Sequence, residues 1–363
     1  MDFIIKLVSC IISFCLVQFG DSIKVSKSIK LSENIIYDCV DIYKQPSLNH
    51  PLLQNHQIQM KPSFSIHKSK EQAKSKIYKN IINCPNGTVP ILRNAKQYVA
   101  KSQYFAKKHF NPFTVESHGT HFAGVRLHHG PYYGILSWIS VHDLNISGDQ
   151  APYAHIYVGR RFNNKDNVIQ VGWMVNPSIF GDGQTWSYGF WKGANGESCY
   201  NTVCPGFIQV SKTNPLSEPI RQAPAEERNI ALTIQKVFFF KILHLTYVNY
   251  KKPDILLGYW PGELFDLIDN GVDIMGVGGA VESSPSGRSP PMGNGHLPTQ
   301  DDMESARVYT ILYLDQPTAK TMKIVDKSYK LEKLLDSEKC YGLNRGKKML
   351  FTFGGPGGNS CGI

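Results

Sequence analysis

From residue 118 onward, apolar and polar positions alternate in short runs separated by glycine, proline and asparagine. A period of two puts successive side chains on opposite faces of a strand. Strands are therefore predicted over His121–Leu127, Gly134–His142, Ala154–Gly159, Val168–Val175, Ser187–Trp191, Phe207–Gln209, Asn229–Phe240, Met275–Glu282, Ala306–Leu314 and Leu350–Phe353. Short strands between turn residues predict an all-β fold, an antiparallel β-sandwich. The clearest run is Ile169-Gln170-Val171-Gly172-Trp173-Met174-Val175-Asn176-Pro177. Ile169, Val171, Trp173 and Val175 form its core face. Gln170, Gly172, Met174 and Asn176 form the other, where the glycine leaves room for something to lie against the sheet. One helix is predicted, Pro261 to Asp269, with Leu264, Leu267 and Ile268 on one stripe and Pro261 in its first turn.

The first 22 residues read differently. Lys6 precedes the apolar run Leu7–Val17, and the small residues Gly20 and Ser22 follow. This is the pattern of a secretory signal peptide over 1–22, too short for a membrane anchor. Val237-Phe238-Phe239-Phe240 is also too short to span a bilayer and is interrupted by Lys241 and His244. A secreted protein is expected, extracellular or vacuolar, with no membrane partner. Two sequons, at Asn86 and Asn145, are candidate glycosylation sites. Six cysteines remain beyond the signal peptide: Cys39, Cys84, Cys199, Cys204, Cys340 and Cys361. An even number in an oxidising compartment predicts disulfides. Sequence alone leaves the connectivity open. Proximity favours Cys199–Cys204 as a tight loop, while Cys340–Cys361 would tie down the C-terminus and Cys39–Cys84 would staple the N-terminal region. No pair has the spacing of a zinc site.

The 363 residues carry a formal charge of +10, a pI near 9.0 and 42% hydrophobic residues. That composition is globular, with room for two domains. Many of the cations lie early, at Lys61, Lys68, Lys70, Lys74, Lys76, Lys79, Arg93, Lys96, Lys101, Lys107 and Lys108. With no nucleic-acid motif beside them, they read as a solvated pro-segment rather than a nucleic-acid surface. Residues 23–110 look like one small N-terminal unit, and residues 111–363 like the main domain. The Lys-rich stretch from Asn94 to Lys108 reads as an exposed tether open to proteolysis.

Several motifs together resemble the neprosin family of secreted glutamic peptidases. They are Ile169–Pro177, the pair Cys199 and Cys204, Gly278-Gly279-Ala280-Val281, Gly295-His296-Leu297-Pro298 and the closing Gly354-Gly355-Pro356-Gly357-Gly358. The block Asp38 to Ile91 resembles that family's activation-peptide domain. The resemblance implies a zymogen, a substrate cleft across one sheet, and endopeptidase activity, often after proline, at acid pH with two glutamates and a water. Its first glutamate falls on Gln170 here, and its second on Ala280. Acid-class hydrolysis needs a carboxylate to take a proton from water and a partner to polarise the carbonyl. An amide can be the partner, but alanine cannot be the base. Glu282 is the candidate displaced base: two residues on, it shares the face of Ala280, about 7 Å along the strand.

The residues 236–252 depart from the family pattern, as divergence or as a gene-model error, and Leu257-Gly258-Tyr259-Trp260-Pro261 resumes it. His118, His121, His128 and His129 read as surface or turn residues rather than a metal site, since His118 and His121 would face opposite ways. His296 reads as a turn or cleft-rim residue. Trp186, Tyr188 and Phe190 read as a half-buried strand. No Gly-x-Ser-x-Gly elbow is present, and the cysteines have disulfide partners, so serine and cysteine nucleophiles lack support. No cofactor is expected. Two functions remain open. One is a secreted neprosin-like endopeptidase acting on a peptide or protein, including proline-rich ones, and held by its own activation peptide. The other is a noncatalytic peptide-binding protein on the same scaffold.

Overall fold

The computed structural model describes residues 24–60, 82–94, 96–113, 119–220, 229–237, 242–247, 255–319, 321–326 and 329–361. The expected signal peptide, the lysines between 61 and 81, His118, and residues 238–241 and 248–254 lie outside these.

Three strands open the chain: β1 (Val25–Lys30), β2 (Ile36–Asp41) and β3 (Thr88–Leu92). They form a small antiparallel sheet in the order β1-β2-β3. Cys39–Cys84 staples it from within. Next come β4 (Thr120–Leu127), β5 (Gly134–Ser140), β6 (Ala151–Phe162), β7 (Lys165–Val175), β8 (Thr185–Lys192) and β9 (Ser198–Tyr200). Then follow β10 (Ile208–Gln209), β11 (Asn229–Val237), β12 (Ile242–Tyr247), β13 (Ile255–Trp260) and β14 (Ile274–Glu282). The last are β15 (Ala306–Leu314), β16 (Lys323–Ile324), β17 (Glu332–Leu335), β18 (Gly342–Arg345) and β19 (Phe351–Gly354). One large sheet has seven strands, in the order β17-β4-β14-β6-β7-β8-β9. The other has nine, β10-β13-β12-β11-β5-β15-β19-β18, with β16 beside β15. All registered pairs are antiparallel.

The two large sheets pack as a sandwich over one apolar core. Val125, Ile156, Ile169, Val171, Trp173 and Val277 come from the seven-stranded sheet, and Ile135, Ile139, Ile230, Ile234, Val308 and Phe353 from the other. Trp173 also donates its indole N–H to the Ser140 carbonyl, 2.9 Å away in the facing sheet. Burying one ring there and satisfying its donor locks the sheets in register at that point. Residues 229–237 and 242–247 pair as β11 and β12 and extend the nine-stranded sheet across the divergent segment.

The alternation of β7 is present, but both of its faces are buried. A second apolar cluster covers the far face of the seven-stranded sheet and includes Tyr153, Tyr157, Met174, Trp186, Tyr188, Phe190 and Tyr200. Gly172 therefore does not make space for a ligand. A Cβ there would sit 1.9 Å from the Ala154 carbonyl oxygen, so the glycine admits the backbone of β6 instead.

The predicted helix from Pro261 to Asp269 is replaced by one short 3-10 turn, Gly262–Leu264. Phe265 leaves it with extended backbone, φ −126° and ψ 143°. The Asn167 side chain then accepts from the amides of Asp266 and Leu267, at 3.0 and 2.9 Å, so these donors have no need of helical carbonyls. The long helix lies where a tether was expected, over Lys96–Ala106. Ser102, Phe105 and Ala106 of it are buried. Spacings of three and four residues define that stripe, while Lys101 and Lys107 stay exposed.

The N-terminal block binds the sandwich through polar groups. Tyr37 donates its hydroxyl to the Ser217 carbonyl at 2.7 Å. Gln45 pairs with the backbone of Gln209. His50 meets Glu197 at 3.0 Å, and His56 lies 3.0 Å from Glu263 and 2.9 Å from the Tyr259 hydroxyl. The disulfides Cys199–Cys204 and Cys340–Cys361 complete the expected pairing. Replacing both Cys340 and Cys361 by serine is expected to destabilise the chain by about 2–5 kcal/mol, read as a lower denaturant midpoint. The sequon residues Asn86 and Asn145 are both exposed.

Candidate active site

The far face of the seven-stranded sheet carries the polar residues that the sandwich core does not need. In register, Gln170 of β7 lies opposite Tyr157 of β6 and Phe190 of β8. Ala280 of β14 lies opposite Tyr153 and Phe122, and Glu282 opposite Ala151 and Thr120. All of these side chains are buried. The face was expected to be open between Gln170 and Ala280. It is covered by the segment that follows the helix.

His109 is the centre of that cover. Its Nε2 lies 3.1 Å from Gln170 Oε1, and its Nδ1 lies 3.4 Å from Glu282 Oε1 and 2.6 Å from the Tyr200 hydroxyl. One imidazole thus separates the amide of Gln170 from the carboxyl of Glu282. The ring stacks on Tyr153 with centroids 4.7 Å apart and touches Phe190 at 4.2 Å. Phe110 comes next. Its N–H donates to the Tyr153 hydroxyl at 3.1 Å, and its carbonyl accepts from Gln170 Nε2 at 2.7 Å. That second bond fixes the orientation of the amide, so Gln170 Oε1 faces His109 and must accept from Nε2–H. Nδ1 is then the acceptor of a hydrogen bond donated by the Tyr200 hydroxyl. The strap continues through Asn111, bonded to Asp166, and Pro112, whose carbonyl accepts from Arg126.

Burial sets the charges. His109 is held well below the ordinary 6.5, first by desolvation and then by nearby His155, with the Gln170 bond working the other way. Glu282 is pushed up to about 8 by desolvation, against the pull of the Lys108 charge. Its second oxygen has no hydrogen-bond partner among the described residues. The closed site therefore holds a neutral imidazole against a neutral carboxyl near pH 6, which avoids burying a bare charge. Glu282 is not the solvated strand-end residue that its position in the sequence allows.

Other expectations need correction. Trp186, Tyr188 and Phe190 are fully buried rather than half-buried, Tyr188 and Phe190 against His109 and Trp186 against Phe180. His121 is a buried partner of Asp336 at 3.0 Å, not a surface residue. His128 pairs with Glu332. His296 is exposed in a turn. Sequence reasoning missed His109, Tyr153 and Tyr200. The alternation of aromatic with aliphatic residues in Tyr153-Ala154-His155-Ile156-Tyr157 marks the covered face. Nothing local marks His109, whose partners lie 61 and 173 residues away.

The site is thus one sheet face of an antiparallel sandwich, covered by the segment that follows the helix. Family comparison gives the chain a place. The Neprosin model matches residues 148–356 and the Neprosin activation peptide model residues 28–126, and the chain belongs to the neprosin family. Among solved structures it is similar to a scytalido-glutamic peptidase with a transition state analog inhibitor, at 8% identity and TM-score 0.32. It is also similar to SCP-B, a member of the Eqolisin family of peptidases, in a complex with the tripeptide Ala-Ile-His, at 8% identity and TM-score 0.29. Each match covers 65% of this chain and 98% of the other.

Proposed function

We propose that this chain is a secreted, latent peptidase in which Glu282 is the general base and Gln170 polarises the scissile carbonyl. Residues 1–22 are read as the signal peptide, 23–110 as the activation-peptide domain and 111–363 as the peptidase domain. Asn86 and Asn145 carry the glycans. The observation that carries this reading is the convergence of Gln170 and Glu282 on the two nitrogens of one buried imidazole.

Withdrawal of His109 leaves a gap between amide and carboxyl that suits a water and a peptide carbonyl. With the cleft hydrated, Glu282 ionises and takes a proton from the water. The water oxygen bonds to the carbonyl carbon while Gln170 Nε2 donates to the carbonyl oxygen. The proton then passes to the departing amine as the C–N bond breaks. In the closed form the same Nε2 already donates to a peptide carbonyl, that of Phe110.

The second reading is a noncatalytic peptide-binding protein. It is favoured by Ala280, which leaves the family's second glutamate position without a carboxyl. The experiment that separates the two is cleavage of a peptide panel, including proline-containing peptides, by the acid-activated chain and its Glu282→Gln variant. Cleavage lost in the variant supports the first reading. No cleavage by the natural chain overturns it.

A further inference from the structure

The strap lies in the cleft as a bound peptide would, and most of its bonds are ones any peptide can make. The Phe110 N–H gives to Tyr153 and the Phe110 carbonyl takes from Gln170. The Pro112 carbonyl takes from Arg126, and the Phe113 carbonyl from Arg161 Nη1 at 3.0 Å. Discrimination between peptides must therefore come from side chains, and one is enclosed on several sides. The Phe110 ring stacks on Phe122 with centroids 4.3 Å apart and planes 6° from parallel. His155 lies at 5.8 Å and Tyr157, edge-on, at 6.1 Å.

We propose that this recess, walled by Phe122, His155 and Tyr157, selects substrates with an aromatic residue at the position whose carbonyl Gln170 engages. The inference rests on the cleft being a peptide site, and it names the class of peptide. Flat walls reward a flat ring, since offset and edge contacts add to simple burial. Leucine buries comparable area without stacking. Proline is disfavoured for a further reason: it has no N–H to give to the Tyr153 hydroxyl. The resemblance to a post-proline peptidase therefore does not carry over to this position. A cavity of about 220 Å³ adjoins the recess, lined in part by Phe110, Pro112, Phe122, Leu334 and Leu335, and leaves room for tyrosine or tryptophan.

Two arms test this on the full chain. The first measures hydrogen exchange of segment 105–113 in the closed protein with Phe110 replaced by Tyr, Trp, Leu or Ala. Tyr and Trp are expected to keep the natural protection. Leu should raise exchange roughly 3- to 10-fold and Ala roughly 10- to 100-fold, from lost stacking and lost burial respectively. Strand β14, unchanged throughout, reports that the fold is intact. The second arm compares kcat/KM of the acid-activated chain on peptides that differ only in Phe, Tyr, Leu, Pro or Ala at the tested position, with the aromatic peptides expected to lead. If Leu protects as well as Tyr, or Ala exchanges no faster than Phe, the aromatic recess is overturned. If no peptide is cut while the exchange series holds, the recess stands and the peptidase reading falls.

Discussion

Glu282→Gln is expected to lower the kcat of the activated chain by roughly 10²- to 10⁴-fold, the usual worth of a placed general base. KM should change little, because the cleft's peptide contacts come from other residues. The fold should survive. Glu282 is buried, and its carboxyl, pushed up to about 8, is neutral near pH 6. An amide of the same size replaces it without stranding a charge. Loss of rate with an unchanged melting curve therefore isolates chemistry from folding. Ala280→Glu is the counter-test. Ala280 is fully buried between Tyr153 and Phe122 in register, so a carboxyl there crowds the strap and faces the Glu282 carboxyl on the same strand. The expected result is a looser closed form and no gain in the rate of the opened form. A rate gain in Ala280→Glu, with Glu282→Gln silent, would return the base to position 280 and sink the assignment of Glu282.

The sandwich was legible because alternation is local. Each large-sheet strand read from the sequence falls within a residue or a few of an observed one, and Cys199–Cys204 followed from proximity. Period two put Glu282 on the face of Ala280, and the family resemblance set that face against Gln170. What the sequence hid was everything set by distant partners. The helix at Lys96–Ala106 carries only a short buried stripe, so its lysines dominated the reading. The turn after Pro261 failed as a helix because Asn167, a hundred residues upstream, captures its amides. Burial of Glu282 depends on His109 and on the aromatic face beneath it, which no local pattern announces.

Release of the strap is expected to follow a flat-bottomed pH profile, fixed by two groups that shift in opposite directions. The closed form holds His109 depressed and Glu282 raised. Once released, both return towards ordinary values, 6.5 and 4.5. A depressed imidazole favours the closed form above 6.5, and that preference is lost as pH falls. A raised carboxyl favours the closed form below 4.5, and that preference is lost as pH rises through about 8. Between 4.5 and 6.5, opening takes up one proton on His109 and gives one up from Glu282, so the two effects cancel. Below 4.5 only His109 still responds, and each unit of acid favours opening by up to about tenfold. Above 6.5 only Glu282 responds, and rising pH favours opening. The neighbours Tyr153, Tyr188 and Tyr200 are raised above 10 and stay silent here, while His155, depressed to about 3, adds to the acid limb if opening hydrates it. Hydrogen exchange of segment 105–113 from pH 4 to 8, corrected for intrinsic rates, reads the profile. Glu282→Gln removes the compensating proton, so its acid limb begins near 6.5 and opening rises as pH falls from there. His109→Gln removes the His109 share of that limb and leaves only the His155 share. A single sigmoid centred near 6.5 in the natural chain, or an acid limb undiminished in His109→Gln, would show that other groups hold the strap.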